Sequence, residues 1–521
     1  MADHLSSVFS GLRVLFQGSS AAGQLASVPQ ESTTGFTAPY PPGSTYLESI
    51  RSVSVMWPEW HFRSTTLFSQ SGHSGSNYSS DSAASRSNNS GYSSGSASAD
   101  LGASELSKIA NRMVSDGYTQ RMAQAFGCGG SQDRALENCF VELDVDWVLE
   151  IRGGHGIQRQ LDLLLQDTSA SWLQELVERW VRALTIIVVS ISKELVADVN
   201  EMPTAVRFVK ASVSAMLVFV NAILKVFKME NLPAMLHMYI CVSSASYDLC
   251  AVRVVSSEAQ SIFNEIGASL QREENKLIQA ISSRMWNMRM TLIDGDDSWA
   301  IEIPQGGGEV HRKTQMLVDC VLLMRKAHAL MHNSTQSHKT ANLGRLIDET
   351  IAYTKDLLLT KSKLCSDPSL RYLFLLNNFY FIAQVSDPSI PLDVELGSRQ
   401  HSGLELTPDC EKHMNNCLDV SWGHVLSCIP KLIFHGPLQR WKNTSSLAKF
   451  ESAFHKTYQA QKFWKVPEPQ LRDALRKAIT ERVVSSYRDY LKEHPELAEH
   501  VSRGSSTPEV LEQMLGELFE G

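Results

Sequence analysis

Apolar residues recur at three- and four-residue intervals along most of this chain, and almost nowhere with the alternation of a strand. In ASELSKIANRMVSDGY, Leu106, Ile109 and Met113 share one helical face behind Ser104, which reads as the N-cap. WLQELVERWVRALTIIVVSISKEL places Leu173, Leu176, Trp180, Val181 and Leu184 on one side, and SIFNEIGASLQREENKLIQAIS repeats the pattern with Ile262, Ile266, Leu270 and Leu277. TQMLVDCVLLMRKAHALM carries a broad apolar stripe. DPSLRYLFLLNNFYFIAQ, with Asp367 as cap and Pro368 in the first turn, is apolar nearly all round and belongs inside a bundle. The amides of Asn377 and Asn378 within it are expected to satisfy neighbouring backbone groups, because buried polar groups are normally paired. Long amphipathic helices joined by short loops predict an all-α fold, an elongated rod of stacked antiparallel helical bundles. The most apolar runs, Leu184–Ile191 and SVSAMLVFVNAILKVF, fall short of the roughly 20 residues a membrane span needs and read as buried helices.

The helical texture begins at residue 101. Residues 1–63 are mixed and poorly defined, with a proline-tyrosine patch (APYPPGSTY) and one aromatic cluster (MWPEWHF). Residues 64–100 hold 15 serines and almost nothing apolar to offset the entropy of ordering, so they read as a disordered linker and a plausible phosphorylation substrate. A shift in charge divides the remainder into a helical-bundle rod, 101–430, and a C-terminal sub-bundle, 431–521.

With 521 residues, 43% of them apolar, the chain can bury a sizeable core, and a net charge of -8 argues against nucleic acid as a partner. Nine cysteines without a CxxC pair fit reduced, buried thiols in a cytosolic protein better than a disulfide framework. The first residues lack a basic stretch followed by a long apolar one, so no signal peptide is expected and the sequons at Asn77, Asn88, Asn333 and Asn443 carry no weight.

Three stretches invite a chemical reading. PQGGGEVHRKT has no GK pair and no GxGxxG spacing, and it follows the acidic DGDDSWAIEIPQ. A backbone reversal between helices, with His311 opening the next one, is the better account. Cys410, His413 and Cys417 share a helical face, and His328 and His332 lie four apart with His338 nearby, yet neither group supplies a four-ligand zinc set. Core thiols and solvated histidines are expected, with no metal and no cofactor. No catalytic motif appears with its context, which argues against an enzyme.

Charge layout is more informative. Residues 431–492 carry 13 Lys/Arg against 5 Asp/Glu, and residues 493–521 carry 1 against 7. In EPQLRDALRKAITERVVSSYRDYLKEH the apolar face is Leu471, Leu475, Ile479, Val483, Tyr487 and Tyr490. Arg472, Arg476, Lys477, Arg482, Arg488 and Lys492 occupy the other faces. Such a helix is either an ordinary amphipathic element with a solvated cationic side or a patch for anionic lipid or an acidic protein partner.

From residue 101 onward an ordered set of blocks resembles a known family: DLGASELSKIANRMVSDGY, WLQELVERWVRAL, IPQGGGEVHRKTQMLVDC, RYLFLLNNFYFIAQ, SWGHVLSCI, LAKFESAFHKTYQAQKFWKVPEPQLRDALRKAITERVVSSYRDYL and TPEVLEQMLGELFEG. These are similar to the plant form of the seventy-kilodalton subunit of the exocyst vesicle-tethering complex. The resemblance implies a helical rod, non-enzymatic tethering of secretory vesicles, partnership with the other exocyst subunits, and phosphoinositide contact by basic residues near the C-terminal end. A cytoplasmic protein with peripheral association at the plasma membrane is therefore expected. Two departures suggest a divergent member. The region before residue 64 is short and lacks heptads. Aligned on Thr507-Pro508-Glu509, Ser502 and Ser505 stand where the family often has lysines, which leaves Arg503 as the nearby basic candidate. Some relatives are linked to immunity, so an interaction protein outside the complex, docking immune receptors or pathogen effectors, is the alternative.

Overall fold

The computed structural model describes residues 45–55, 102–128, 132–153, 170–197, 202–226, 228–252, 254, 256–293, 298–333, 337–386, 406–429, 439–501 and 506–520. The serine-rich stretch 64–100 and Arg503 lie outside them. In chain order the helices are α1 (Thr45–Arg51), α2 (Ala103–Ser115), α3 (Tyr118–Gly127), α4 (Gln132–Glu142), α5 (Trp147–Gly153) and α6 (Ala170–Ala197). Then come α7 (Met202–Val226), α8 (Leu232–Ala251), α9 (Ser257–Ile293), α10 (Trp299–Gln305), α11 (Arg312–Asn333) and α12 (Ser337–Lys361). The last six are α13 (Pro368–Ser386), α14 (Pro408–Leu426), α15 (Gln439–Gln461), α16 (Pro469–Glu493), α17 (Pro495–Val501) and α18 (Pro508–Gly516).

Packing follows the chain. Helices α2 to α9 form the first group, in which α2 packs on α6, α8 on both α6 and α9, and α7 on α3, α5 and α9. Helices α11 and α12 pair with each other, touch α8 and α9 on one side and α13 on the other. The C-terminal group follows, with α14 packed on α13, α15 and α16, and α18 returning to α16. This relay of neighbours is an all-α stack of helical bundles. The sole β-type pairing among the described residues is an isolated bridge between Lys465 and Glu520.

The starts of the later helices are legible in their side chains. Asp367 Oδ1 accepts from the amides of Ser369 and Leu370, at 2.8 and 3.3 Å, ahead of Pro368. Thr407 and Thr507 cap α14 and α18 in the same way, each followed by proline. Ser104 is not the cap of α2. That helix begins at Ala103 behind Gly102, which is left-handed at φ 71. A Cβ on Gly102 would lie 2.6 Å from Val53 Cγ1, so the close crossing of residues 53–54 sets the start.

The predicted core faces are buried, Leu173, Leu176, Trp180, Val181 and Leu184 among them. On α9, Phe263 is buried while Ile262 is only half-buried, a small rotation of the expected stripe. One stretch, Thr204–Lys225, is after all long and apolar enough to cross a membrane by length and composition. Val206, Val209, Val213, Phe219 and Ile223 on it are buried within the protein. Cys139, Cys241, Cys320, Cys365, Cys410 and Cys417 are buried free thiols, whereas Cys128 and Cys250 are exposed. Burial pushes Cys139, Cys241 and Cys417 up to about 12, which leaves them unreactive.

Candidate functional site

The triple glycine makes the reversal between α10 and α11. Gly307 and Gly308 hold φ 61 and φ 82, a region that side chains disfavour. The turn spends its amides on itself: Gly306 N–H reaches Glu302 O, Gly307 reaches Pro304 O, Gly308 reaches Ile303 O and Glu309 reaches Gly306 O. A phosphate loop needs those donors outward, so the turn is no phosphate cradle. Its carbonyls are held from α13 instead. Asn377 Nδ2 donates to Gly308 O at 2.7 Å and to Lys465 O at 2.9 Å. Asn378 Oδ1 accepts from His311 N at 3.0 Å, and its Nδ2 donates to Phe374 O at 2.8 Å. Asn378 pairs both ends of its amide and Asn377 pairs its Nδ2 while its buried Oδ1 finds no partner among the described residues, and the two join α13 to the turn and to the segment before α16.

His311 is also structural. Its ring stacks on Trp299 at 3.8 Å, and its Nε2–H donates to Glu302 Oε2 at 2.5 Å. Nδ1 accepts from Lys313 N at 3.2 Å, which fixes that tautomer. Burial would raise the Glu302 carboxyl, but hydrogen bonds from Ser298 and His311 and the Lys313 charge outweigh it and hold the group below its ordinary value. Cys410, His413 and Cys417 are buried together on α14. The His413 ring meets Phe379 edge-on at 4.6 Å, and burial lowers its pKa. No cluster of three potential ligands occurs among the described residues.

The basic helix is α16, and its predicted apolar face is buried from Leu471 to Tyr490. The arginines do not stand free. Arg476, with only 16% of its side chain exposed, donates to Leu518 O at 2.9 and 2.6 Å and to Glu520 at 2.7 Å. Arg472 lies 3.5 Å from the same Glu520 carboxylate. The hydrogen bond from Arg476, then the charge of Arg472, hold Glu520 below the usual carboxylate range. Arg488 pairs with Glu512 at 2.7 Å, and Arg482 with Asp419 on α14. Leu518 and Phe519 are buried between these contacts, with Phe519 at φ 69. The charge asymmetry read from the sequence is therefore largely complementary within the chain: the acidic tail folds onto the basic helix. Of the sequence candidates, Lys477 and Lys492 stay outward, each with 76% of its side chain exposed and an acidic partner on its own helix.

Three basic residues that sequence reasoning passed over are more available. Lys449 and Lys456 on α15, and Lys462 just after it, are exposed and form no ion pair among the described residues. Lys449 and Lys456, two helical turns apart, line a cavity of about 840 Å³ together with Ser452, Thr457, His424 and Asp367. His424 Nε2 and Thr457 Oγ1 are 3.2 Å apart in its wall. Beside Lys462, Phe463 is 70% exposed. The available signal was the seven-residue spacing of lysines opposite Leu447, Phe450, Phe454 and Tyr458, with Glu451 the one acid in that helix.

The family model for the C-terminal part of the Exo70 exocyst complex subunit matches residues 178–517. The chain belongs to the Exo70 family. Among its relatives in Arabidopsis thaliana, exocyst complex component EXO70A1 is 31% identical over 180 residues, which cover 31% of this chain and 27% of the relative. EXO70E2 is 23% identical over 440 residues, covering 79% of this chain and 64% of the relative. The matched part thus spans less than two thirds of either Exo70 relative. A solved structure of Saccharomyces cerevisiae Exo70 aligns over 81% of this chain and 80% of that one, at 13% identity and a TM-score of 0.41.

Proposed function

We propose that the chain is a non-enzymatic subunit of the exocyst vesicle-tethering complex, cytoplasmic, and peripheral at the plasma membrane through contact with phosphoinositides. The observation that carries the exocyst reading is the family match over residues 178–517. It is supported by the arrangement of the chemically tempting residues. His311, Asn377, Asn378 and the glycine turn are consumed in holding helices together.

The lipid contact belongs to the lysines more than to the arginines. Arg472, Arg476, Arg482 and Arg488 are neutralised by acidic neighbours. Lys449, Lys456 and Lys462 are exposed and form no ion pair among the described residues, and Phe463 beside them offers an apolar side chain to an interface. Lys477 and Lys492 complete the candidate surface. Each basic residue near an anionic membrane contributes about 1 kcal/mol.

Immunoprecipitation at physiological salt with quantitative mass spectrometry tests the assembly. Recovery of the other exocyst subunits in near-equal amounts is the expected result. Their absence, with other proteins recovered reproducibly, would favour an interaction protein outside the complex.

A further inference from the structure

Residues 45–55 lie in a groove formed by α2, the end of α4 and α6. Arg51 grips Asp144 with two hydrogen bonds, at 3.1 and 2.6 Å. Glu142 accepts from the backbone amides of Tyr46 and Leu47 at the start of α1. Arg182 Nε donates to Val53 O at 2.6 Å. The Tyr46 ring lies beneath the Arg112 guanidinium at 5.6 Å, and its hydroxyl bonds Asp116. Ile50 and Val55 are fully buried.

Two buried charges of the groove keep partners of their own apart from this segment. Asp144 also has Arg179 at 3.6 Å, and Arg182 also has Glu178 at 3.1 Å, so neither buried charge would be stranded by its departure. The segment, by contrast, depends on the groove. A seven-residue helix has no stability alone, and two fully buried apolar side chains are a small return for ordering it. Past Val55 the groove continues into a cavity of about 280 Å³ lined by Leu106, Val181, Val188 and Ile240. The site therefore extends further than residues 45–55 fill.

We propose that this groove is a peptide-docking site and that Thr45–Val55 is an exchangeable ligand held there by its own tether. The recognition pattern is a tyrosine, an apolar residue four positions on, an arginine immediately after it, then an extended Val-x-Val. Residues 56–101 join the segment covalently to α2, and intramolecular attachment can supply an effective concentration on the order of ~1 mM. A weak site is then filled in cis, yet stays open to a second peptide of the same pattern.

The test cuts the tether of the full chain. A protease site is inserted between Ser79 and Ser80, the folded protein is cleaved, and the pieces are separated by gel filtration. The body should remain folded by circular dichroism, bind a labelled peptide of residues 43–56 and release the native fragment when that peptide is in excess. A peptide carrying Arg51→Glu should bind about tenfold more weakly or worse, because it sets a like charge against the buried Asp144 carboxylate. A body that unfolds on losing the fragment, or a fragment that never exchanges, makes the segment an integral part of the core and overturns the proposal. A folded body that binds no peptide up to millimolar concentration overturns it equally.

Discussion

Arg476 and Glu520, 44 residues apart in sequence, lie 2.7 Å from each other in the fold. Their contact closes the acidic tail over the basic helix, with Leu518 O taking two further hydrogen bonds from the same guanidinium. Arg476→Ala is expected to destabilise the C-terminal group by about 2 kcal/mol, the scale for hydrogen bonds to a charged group. Glu520→Gln, which preserves the bonds to Leu518 O, should cost less. Thermal unfolding of the two variants side by side checks the order.

Asn378 is the second lock. Asn378→Ala leaves the buried His311 amide without its acceptor, at a cost of ~1–3 kcal/mol. Asn378→Asp should be worse, because the carboxylate keeps the acceptor but loses the donor that faces Phe374 O and buries a charge. Chemical denaturation gives the ranking, and hydrogen exchange at the His311 amide should accelerate in the alanine variant.

The glycine turn separates its three members. Gly306 has an ordinary φ, and an added Cβ would meet the Glu302 carbonyl oxygen at 3.2 Å and the flexible Glu309 side chain at 3.3 Å. Gly307 and Gly308 are left-handed, and an added Cβ would lie 3.0 Å from the Phe463 carbonyl oxygen at the first and 3.1 Å from Leu370 Cδ1 at the second. Alanine at 307 or 308 should cost about 1–2 kcal/mol for the left-handed backbone alone, before any clash. Alanine at 306 should be the mildest. Denaturant midpoints for the three variants decide it.

His237 sets an acid limit. Burial lowers its pKa to about 4, and the Nδ1–H bond to Pro233 O only partly opposes this. A neutral form favoured in the folded state means that the unfolded chain takes up a proton first as pH falls below about 6.5. Stability should therefore decline between roughly pH 6.5 and pH 4, by up to about 3 kcal/mol from this residue. His237→Phe should flatten that part of the profile, measured by denaturation across the same pH range.

Much of this was legible in the sequence because helical periodicity is a local signal. The face from Leu471 to Tyr490 and the pairing role of Asn377 and Asn378 follow from spacing and from the cost of an unpaired buried amide. The neutralisation of Arg476 was not legible. It depends on a chain reversal that brings Glu520 back, and a charge count cannot say which residues meet. The docking of Thr45–Arg51 was hidden for another reason: a segment so short has no periodicity to read and takes its structure from the groove. The reach of Thr204–Lys225 was underestimated, since the separated basic residues Arg207, Lys210 and Lys225 do not outweigh the apolar residues between them.

The most direct test of the account is sedimentation with vesicles containing phosphatidylinositol bisphosphate, set against vesicles of neutral lipid. Neutralising Lys449, Lys456 and Lys462 together to glutamine should weaken binding by about 3 kcal/mol, roughly a hundredfold, with folding unchanged. Arg476→Gln, assayed where it remains folded, should bind almost as the parent does, because its charge already faces Glu520. Unchanged binding of the triple lysine variant, or an equal loss on changing Arg476 alone, would contradict the assignment of membrane contact to α15 and the lysine that follows it.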